Sequence, residues 1–464
     1  MNLFLSTHGK TFRAEWQKLK RTGIFWLCLG AALFIPIINT LVGFLMDADP
    51  SAENAWGSFL QNNFVGFTGF FFPLFLVITM VRLVYLEHRS DTWKLMETQP
   101  VARLSLYIVK YEVALLISLL CLIGLLLFAL LGGAILGAAK PDTGFVKSSI
   151  PWAEVFGALV RYWIASWALL AIQYFLSLLI KSFAWPMTIG LVAIIAGGMF
   201  AGFKVLGWFP YSAIVYTSAS YKGSNTGGFL LHHELLSLAW AALFLWLGFQ
   251  LFIKRGFAAA FIRGGRQLAQ TLGVIAIFAI LFWIVTKPSV SSPYAKTVLT
   301  GTLEMDKLPG EVQLLQAPAF NVVMSGKVAN GRFHLSTDNA IPKGIYYLRA
   351  GSVRMPVFFG AKDSLHVALT TGKRGTELKF GGTRMAENSF LKEYEPGTGY
   401  LQNYGHTLTP FEYSSRVMDR WESEGKEIDR YKTVDNVKPA EDFIAWQKKD
   451  IGCIFIAAAR CGIS

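Results

Sequence analysis

Seven apolar runs of near-membrane length occupy the first 285 residues of the chain, and a polar, β-patterned region follows them. They lie at Ile24–Leu45, Phe64–Val81, Val113–Ile135, Leu159–Ile180, Trp185–Leu206, Leu230–Ile253 and Leu268–Val285. A helix needs about 20 apolar residues to cross the hydrocarbon core of a bilayer, and these runs come close to that. A soluble protein burying seven such helices in series, mostly with short joints, would have little amphipathic surface left for water. At 53% hydrophobic content over 464 residues, composition points the same way. The expectation is a polytopic α-helical membrane protein. The first run is too long for the apolar core of a cleaved secretory signal and further spans follow it, so it reads as a retained helix.

The formal net charge of +13 would suit nucleic acid, but its distribution suits a membrane. With the N-terminus in the cytoplasm, fifteen Lys and Arg flank the inner ends of the runs. They are Lys10, Arg13, Lys18, Lys20, Arg21, Arg82, Arg89, Lys94, Arg103, Lys110, Lys181, Lys254, Arg255, Arg263 and Arg266. Five fall outside: Lys140, Lys147, Arg161, Lys204 and Lys222. The positive-inside rule then sets the N-terminus in the cytoplasm, and seven spans carry everything after Val285 out of it. Nucleic acid is not an expected partner; the lipid bilayer is.

Residues Lys10–Arg21 form an amphipathic stretch in which Phe12, Trp16 and Leu19 share one helical face. Such a helix suits the inner leaflet, either as an interfacial helix or as a plain basic anchor. The joint Arg82–Glu112 is too long and too mixed to be a turn. Trp93, Leu95 and Met96 interrupt a charged stretch with Glu87, Arg89, Asp91 and Lys94, and Pro100 breaks the helix. A short amphipathic piece with Trp among mixed charges suits a docking surface for a soluble partner, or an interfacial helix lying on lipid.

EWQKLKR ahead of the first run, and E-x-x-x-D-T-W-K-L-x-x-x-x-P-x-x-R after the second, resemble the permease subunits of type-2 ABC exporters over residues 10–255. That resemblance implies six core spans, no bound cofactor, ATP bound by a separate P-loop ATPase subunit, and a homodimer or heterodimer of permeases. It also implies that Glu15, Lys18, Lys20, Arg21, Glu87, Asp91, Thr92, Trp93, Lys94, Pro100 and Arg103 form the surface meeting the ATPase. The seventh run, after the basic joint Lys254–Gln267, departs from that pattern and reads as an added anchor.

From Tyr294 the pattern turns to period-2 alternation. Strands are expected at Thr297–Leu303, Glu311–Leu315, Gly326–Ala329, Arg332–Ser336, Gly344–Ala350, Pro356–Phe359, Ser364–Leu369 and Glu377–Phe380, with a type I′ hairpin at Asn330–Gly331. The run G-T-L, V-x-L-L, G-K-V-x-N-G-R-F, G-I-Y-Y-L-R, V-F-F-x-x-x-D-S-L-x-V resembles the N-terminal β domain of membrane-anchored bacterial thiol–disulfide oxidoreductases. There a helical connector, which residues 386–450 resemble, leads to a thioredoxin domain. Here that domain and its C-x-x-C are missing, so redox activity does not carry over, and a truncated gene is one explanation of the ending CIFIAAARCGIS.

The expected organisation is therefore an interfacial helix over 1–23, six permease-like spans over 24–255 and a basic joint with a seventh helix over 256–290. An antiparallel β domain over 294–385 and a helical tail over 386–464 complete it.

No G-x-x-x-x-G-K-[ST], G-x-S-x-G or H-E-x-x-H occurs, so the chain is read as a transporter subunit rather than an enzyme. Cys28 and Cys121 sit inside apolar runs as buried hydrophobes, and Cys453 and Cys461 form no C-x-x-C pair. His232–His233 point about 100° apart on a helix, with no third ligand near in sequence, so no metal is expected. Within the spans, Arg161 and Gln173 are candidates for a translocation path, although Arg161 is also placed to snorkel to the outer headgroups. Trp152, Tyr162, Trp163, Trp208, Tyr211 and Tyr216 suit an interfacial belt.

The expected function is the membrane subunit of a bacterial exporter in the inner membrane, with the C-terminal domain in the periplasm. A membrane scaffold displaying a periplasmic β module, without transport, is the alternative.

Overall fold

A computed structural model describes residues 2–20, 22–45, 54–89, 101–146, 148–202, 207–221, 229–254, 256–288, 297–305, 308–316, 320–337, 341–372, 375–394, 409–433, 435–449 and 451. The chain divides into two compact units, Met1–Lys287 and Pro288–Ser464.

In the first unit, seven helices are long and apolar enough to cross a membrane, and they coincide with the seven runs. The N-terminal helix Asn2–Leu19 begins earlier than its amphipathic stretch suggests. Thr22 N–H caps its end on the Leu19 carbonyl at 3.0 Å, and Gly23 turns the chain at φ +71°. The first span is Ile24–Leu45.

The second span runs from Ala55 to His88 with an interruption. Asn54 caps its start by accepting from Gly57 N–H at 3.0 Å, and a π-helical turn occupies Phe67–Phe71. Pro73 follows two residues after the last residue of that turn, Phe71. Lacking an N–H and crowding the carbonyl four residues back, it fits a helix whose preceding turn is already widened.

The third span, Arg103–Ala139, has 37 residues. At 1.5 Å per residue that is about 55 Å, well beyond the roughly 30 Å hydrocarbon core, so the helix must project past it. The fourth to seventh spans are Trp152–Leu179, Ala184–Gly202, His232–Lys254 and Gly265–Thr286. A short helix, Ala213–Ala219, buries Ile214 and Thr217 against the bundle between the fifth and sixth spans.

Spans two, three and four form the centre. In the fourth, 67% of the apolar window is buried, against 6% in the seventh, which is therefore peripheral. Close packing needs glycine at Gly133, where a Cβ would meet the Trp56 ring at 2.5 Å.

The second unit is an eight-stranded curled sheet of order β6-β5-β2-β3-β4-β1-β7-β8. Its strands are Thr297–Met305, Glu311–Gln316, Asn321–Ala329, Arg332–Thr337, Gly344–Ala350, Val353–Phe359, Ser364–Gly372 and Gly375–Gly382. Each of the eight expected strands is present. Asn330 and Gly331 both take positive φ, as a type I′ turn demands. The sheet departs from a purely antiparallel one at a single pairing, where β1 lies parallel to β7. Sequence periodicity shows which residues face inward and is silent about pairing direction.

Inward residues such as Leu299, Leu314, Leu348, Val357 and Val367 make one core. Helices Met385–Glu393, Pro410–Arg430 and 441–449 add a smaller cluster on the outer face, where Phe358 meets Phe390, Ile428 and Phe443. The region expected to be a connector thus packs on the sheet as part of its unit. Cys453 and Cys461 lie outside the described residues, as does the question of truncation.

Candidate functional site

Among the described residues of the membrane unit, two clusters of charge are buried, one at each end of the central spans. The first joins the N-terminal helix to the ends of the second and third spans. Lys110 is 1% exposed and donates to Glu15 Oε2 at 2.9 Å and to Glu87 Oε1. Lys18, on the rim, donates to Glu15 Oε1 at 2.6 Å and reaches Glu87 Oε1 at 3.3 Å. Burial pushes the Glu15 carboxyl up, and Lys110 with Lys18 outweighs it, so the group sits below the usual carboxylate range. Two cations against two carboxylates leave the cluster neutral, which is what a low-dielectric site requires.

His8 extends the same contact, with Nε2 2.9 Å from Glu112 Oε2. Helix geometry explains the arrangement. Thr11, Glu15 and Leu19 recur every fourth residue and form the buried face of the N-terminal helix. Phe12 and Trp16 are only partly buried, Trp16 meeting Phe25 edge-on at 5.2 Å.

The second cluster lies inside the bundle. Arg161, 2% exposed, donates through Nε to Glu234 Oε1 at 2.8 Å and through Nη1 to the Ser220 carbonyl at 2.6 Å. Glu234 also accepts from Thr217 Oγ1 at 3.2 Å and from Leu231 N–H at 3.0 Å. The fourth and sixth spans are thereby tied to the short helix between the fifth and sixth. Next to it Thr68, within the π-helical turn, shares a 2.8 Å hydrogen bond with Ser218, and Tyr162 donates to Ser218 at 3.3 Å.

The snorkelling expectation for Arg161 is therefore corrected. Its guanidinium turns into the protein because Glu234, 73 residues along, offers a buried counter-charge. Gln173 is fully buried, donating to the Pro186 carbonyl at 2.6 Å and accepting from Tyr211 OH at 3.2 Å, so it fastens helices together. His233 packs its ring against His232, and no group of three or more metal-ligating side chains forms among the described residues.

Of the expected coupling residues, Glu15, Lys18 and Glu87 come together, while Lys20 and Arg103 are exposed. Arg21, Asp91, Thr92, Trp93, Lys94 and Pro100 lie outside the described residues. Lys110 and Glu234 were not among the sequence candidates. A lysine, Lys110, eight residues into a long apolar helix, and a Glu234 opening another, were the available signals.

The stretch holding Glu15, Glu87, Lys110 and Arg161 is also where a known family is found. Residues 11–197 match the family described as ABC-2 family transporter protein. The match takes in most of the N-terminal helix, the first four spans and the fifth as far as Gly197, less than the 10–255 expected. Glu234 lies beyond it. A permease domain of this family is a membrane subunit that works with an ATPase and binds no cofactor itself. No curated protein and no solved structure matches the chain. None of these comparisons supports the expected resemblance of the β unit to the N-terminal domains of thiol–disulfide oxidoreductases.

Proposed function

We propose that the chain is the membrane subunit of a bacterial ABC exporter, coupling ATP hydrolysis by a separate P-loop ATPase to substrate movement across the inner membrane. The observation that carries this reading is the neutral cluster of Glu15, Lys18, Glu87 and Lys110 within the ABC-2 match. It lets the N-terminal helix and the ends of the second and third spans move as one body. A push on the surface around residues 82–103, where Asp91, Thr92, Trp93, Lys94, Pro100 and Arg103 belong, then reaches both spans at once.

At the other end, Arg161 and Glu234 hold the fourth and sixth spans together, so displacement at one end becomes rocking of the bundle. The N-terminus is cytoplasmic, the β unit periplasmic, and two permeases form the working transporter. Arg161 and Gln173 flank the path as helix-fastening groups.

The test is affinity isolation of the detergent-solubilised chain from its native membrane. A stoichiometric P-loop ATPase is expected, and Trp93→Ala or Asp91→Lys should reduce its recovery at least tenfold while insertion is retained. A well-folded chain recovered without any ATPase would overturn the reading. It would favour a membrane scaffold displaying the β module, for which the self-contained core of that unit speaks.

A further inference from the structure

We propose that the outer face of the β sheet carries a binding site for a phosphate group, built on Arg349 and Arg354. The inference goes beyond the transport reading and does not depend on it.

Arg349 on β5 stands directly opposite Arg354 on β6 in an antiparallel pair. Like charges in that position repel, with Cβ atoms about 5 Å apart, so a sheet gains nothing from them on its own account. Neither guanidinium makes an ion pair or hydrogen bond among the described residues. The row continues across the sheet with neutral groups, since Gln313 on β2 faces Arg349 and Ser325 on β3 faces Gln313. Glu311, two residues along β2 from Gln313 on the same face, stands opposite Lys327.

Two further features single this row out. The Arg354 guanidinium lies 4.6 Å from the centroid of the Phe320 ring, which meets Tyr347 edge-on at 5.4 Å. Phe320 holds φ +55°, a left-handed conformation that a bulky side chain adopts only at a cost. That strained residue places an aromatic plane under one guanidinium and leaves its donor edge free.

Among the described residues, the helical layer also stops short. Ile345 and Phe358, paired at one end of β5–β6, are covered by the Phe390, Phe443 and Trp446 cluster. Two rows along, past Tyr347–Pro356, Arg349 and Arg354 are exposed. Two planar forks on directly facing residues, with neutral hydrogen-bonding neighbours, fit the several oxygens and multiple charge of phosphate better than a single carboxylate. The phosphate could belong to a soluble ion or to a lipid headgroup, and the experiment separates them.

The full chain, purified in a neutral detergent, is titrated calorimetrically with inorganic phosphate and, separately, with short-chain phosphatidylglycerol in the same micelles. Saturable binding is expected with at least one probe, weakened tenfold or more by Arg349→Gln and by Arg354→Gln, and only partly restored by lysine. Saturation by inorganic phosphate assigns the site to a free ion. Saturation by the lipid alone assigns it to a headgroup. Binding unchanged by either substitution, or absent for both probes, overturns the proposal.

The unfolding midpoint of the β unit without ligand is the second readout. Arg349→Glu should raise it by making an opposite-charge pair while abolishing binding. A midpoint lowered by both Arg349→Gln and Arg349→Glu would assign the arginine a structural role and sink the proposal.

Discussion

Two arginines, one in each unit, are buried to nearly the same degree and solve the problem differently. Arg161 in the membrane unit has one carboxylate, Glu234, and completes its shell with the Ser220 carbonyl. Arg384 in the β unit gathers three. Its Nε donates to Asp363 at 2.9 Å, its Nη1 to Glu387 at 3.1 Å, and its fork to both oxygens of Asp442 at 3.2 Å. Lys343 joins Asp442 at 2.7 Å, so two cations face three carboxylates.

The excess acid is tolerable because Asp442 is 41% exposed and water shares its charge. No such outlet exists at Glu234, and both clusters in the membrane unit are neutral. Burial raises Asp363, and Arg384 offsets only part of it. Burial also acts to raise Asp442, but Arg384 and Lys343 outweigh it and hold the group at about 2. The lesson is that a charge cluster's stoichiometry reflects its solvent.

The largest expected effect tests that contrast directly. Arg161→Ala leaves Glu234 buried without its counter-charge and should cost about 3–5 kcal/mol, read as a collapse of the unfolding midpoint in detergent. Arg161→Met with Glu234→Leu removes both charges and should recover most of that loss. A double variant as unstable as the single would break the comparison.

Lys110→Ala strands Glu15 and Glu87 and belongs to the same class, with a loss of about 3 kcal/mol and release of the N-terminal helix, followed by limited proteolysis. Asn388→Ala is next. Its side chain accepts from Phe358 N–H at 2.8 Å and donates to the Phe358 carbonyl at 3.0 Å, standing in for a further strand along the edge of β6. Stranding two buried backbone groups should cost about 1–3 kcal/mol in the β unit's midpoint.

Asp442→Asn should cost about 1 kcal/mol at neutral pH, discounted for solvent screening. Because the folded-state group titrates below its ordinary value, its contribution is complete above about pH 4 and fades as the pH falls through about 2. A pH series should therefore show wild type and variant converging in acid. The smallest effect belongs to Lys18→Ala. Lys18 touches the same two carboxylates as Lys110 but is 48% exposed, so its loss should stay within about 1 kcal/mol and shrink with added salt.

Much of this molecule is legible in the order of its residues alone. Spans need long apolar runs because lipid offers no partner to a bare backbone, and strands need alternation because successive side chains face opposite ways. Both signals are local, which is why seven helices and eight strands stand where they were expected. The Asn330–Gly331 turn belongs to the same class, since its backbone demand falls on two adjacent residues.

The clusters do not. Glu15 lies 95 residues from Lys110, and Arg161 lies 73 from Glu234, so no periodicity announces either pairing. Read alone, Arg161 near a span end resembled a residue reaching for headgroups, and Lys110 one more basic flank. Tertiary packing alone decided that these charges turn inward, that β1 runs parallel to β7, and that two arginines meet across β5 and β6 with no carboxylate between them. The physical reason is range: hydrophobic patterning is written along one element, whereas the partner of a buried charge is supplied by another element.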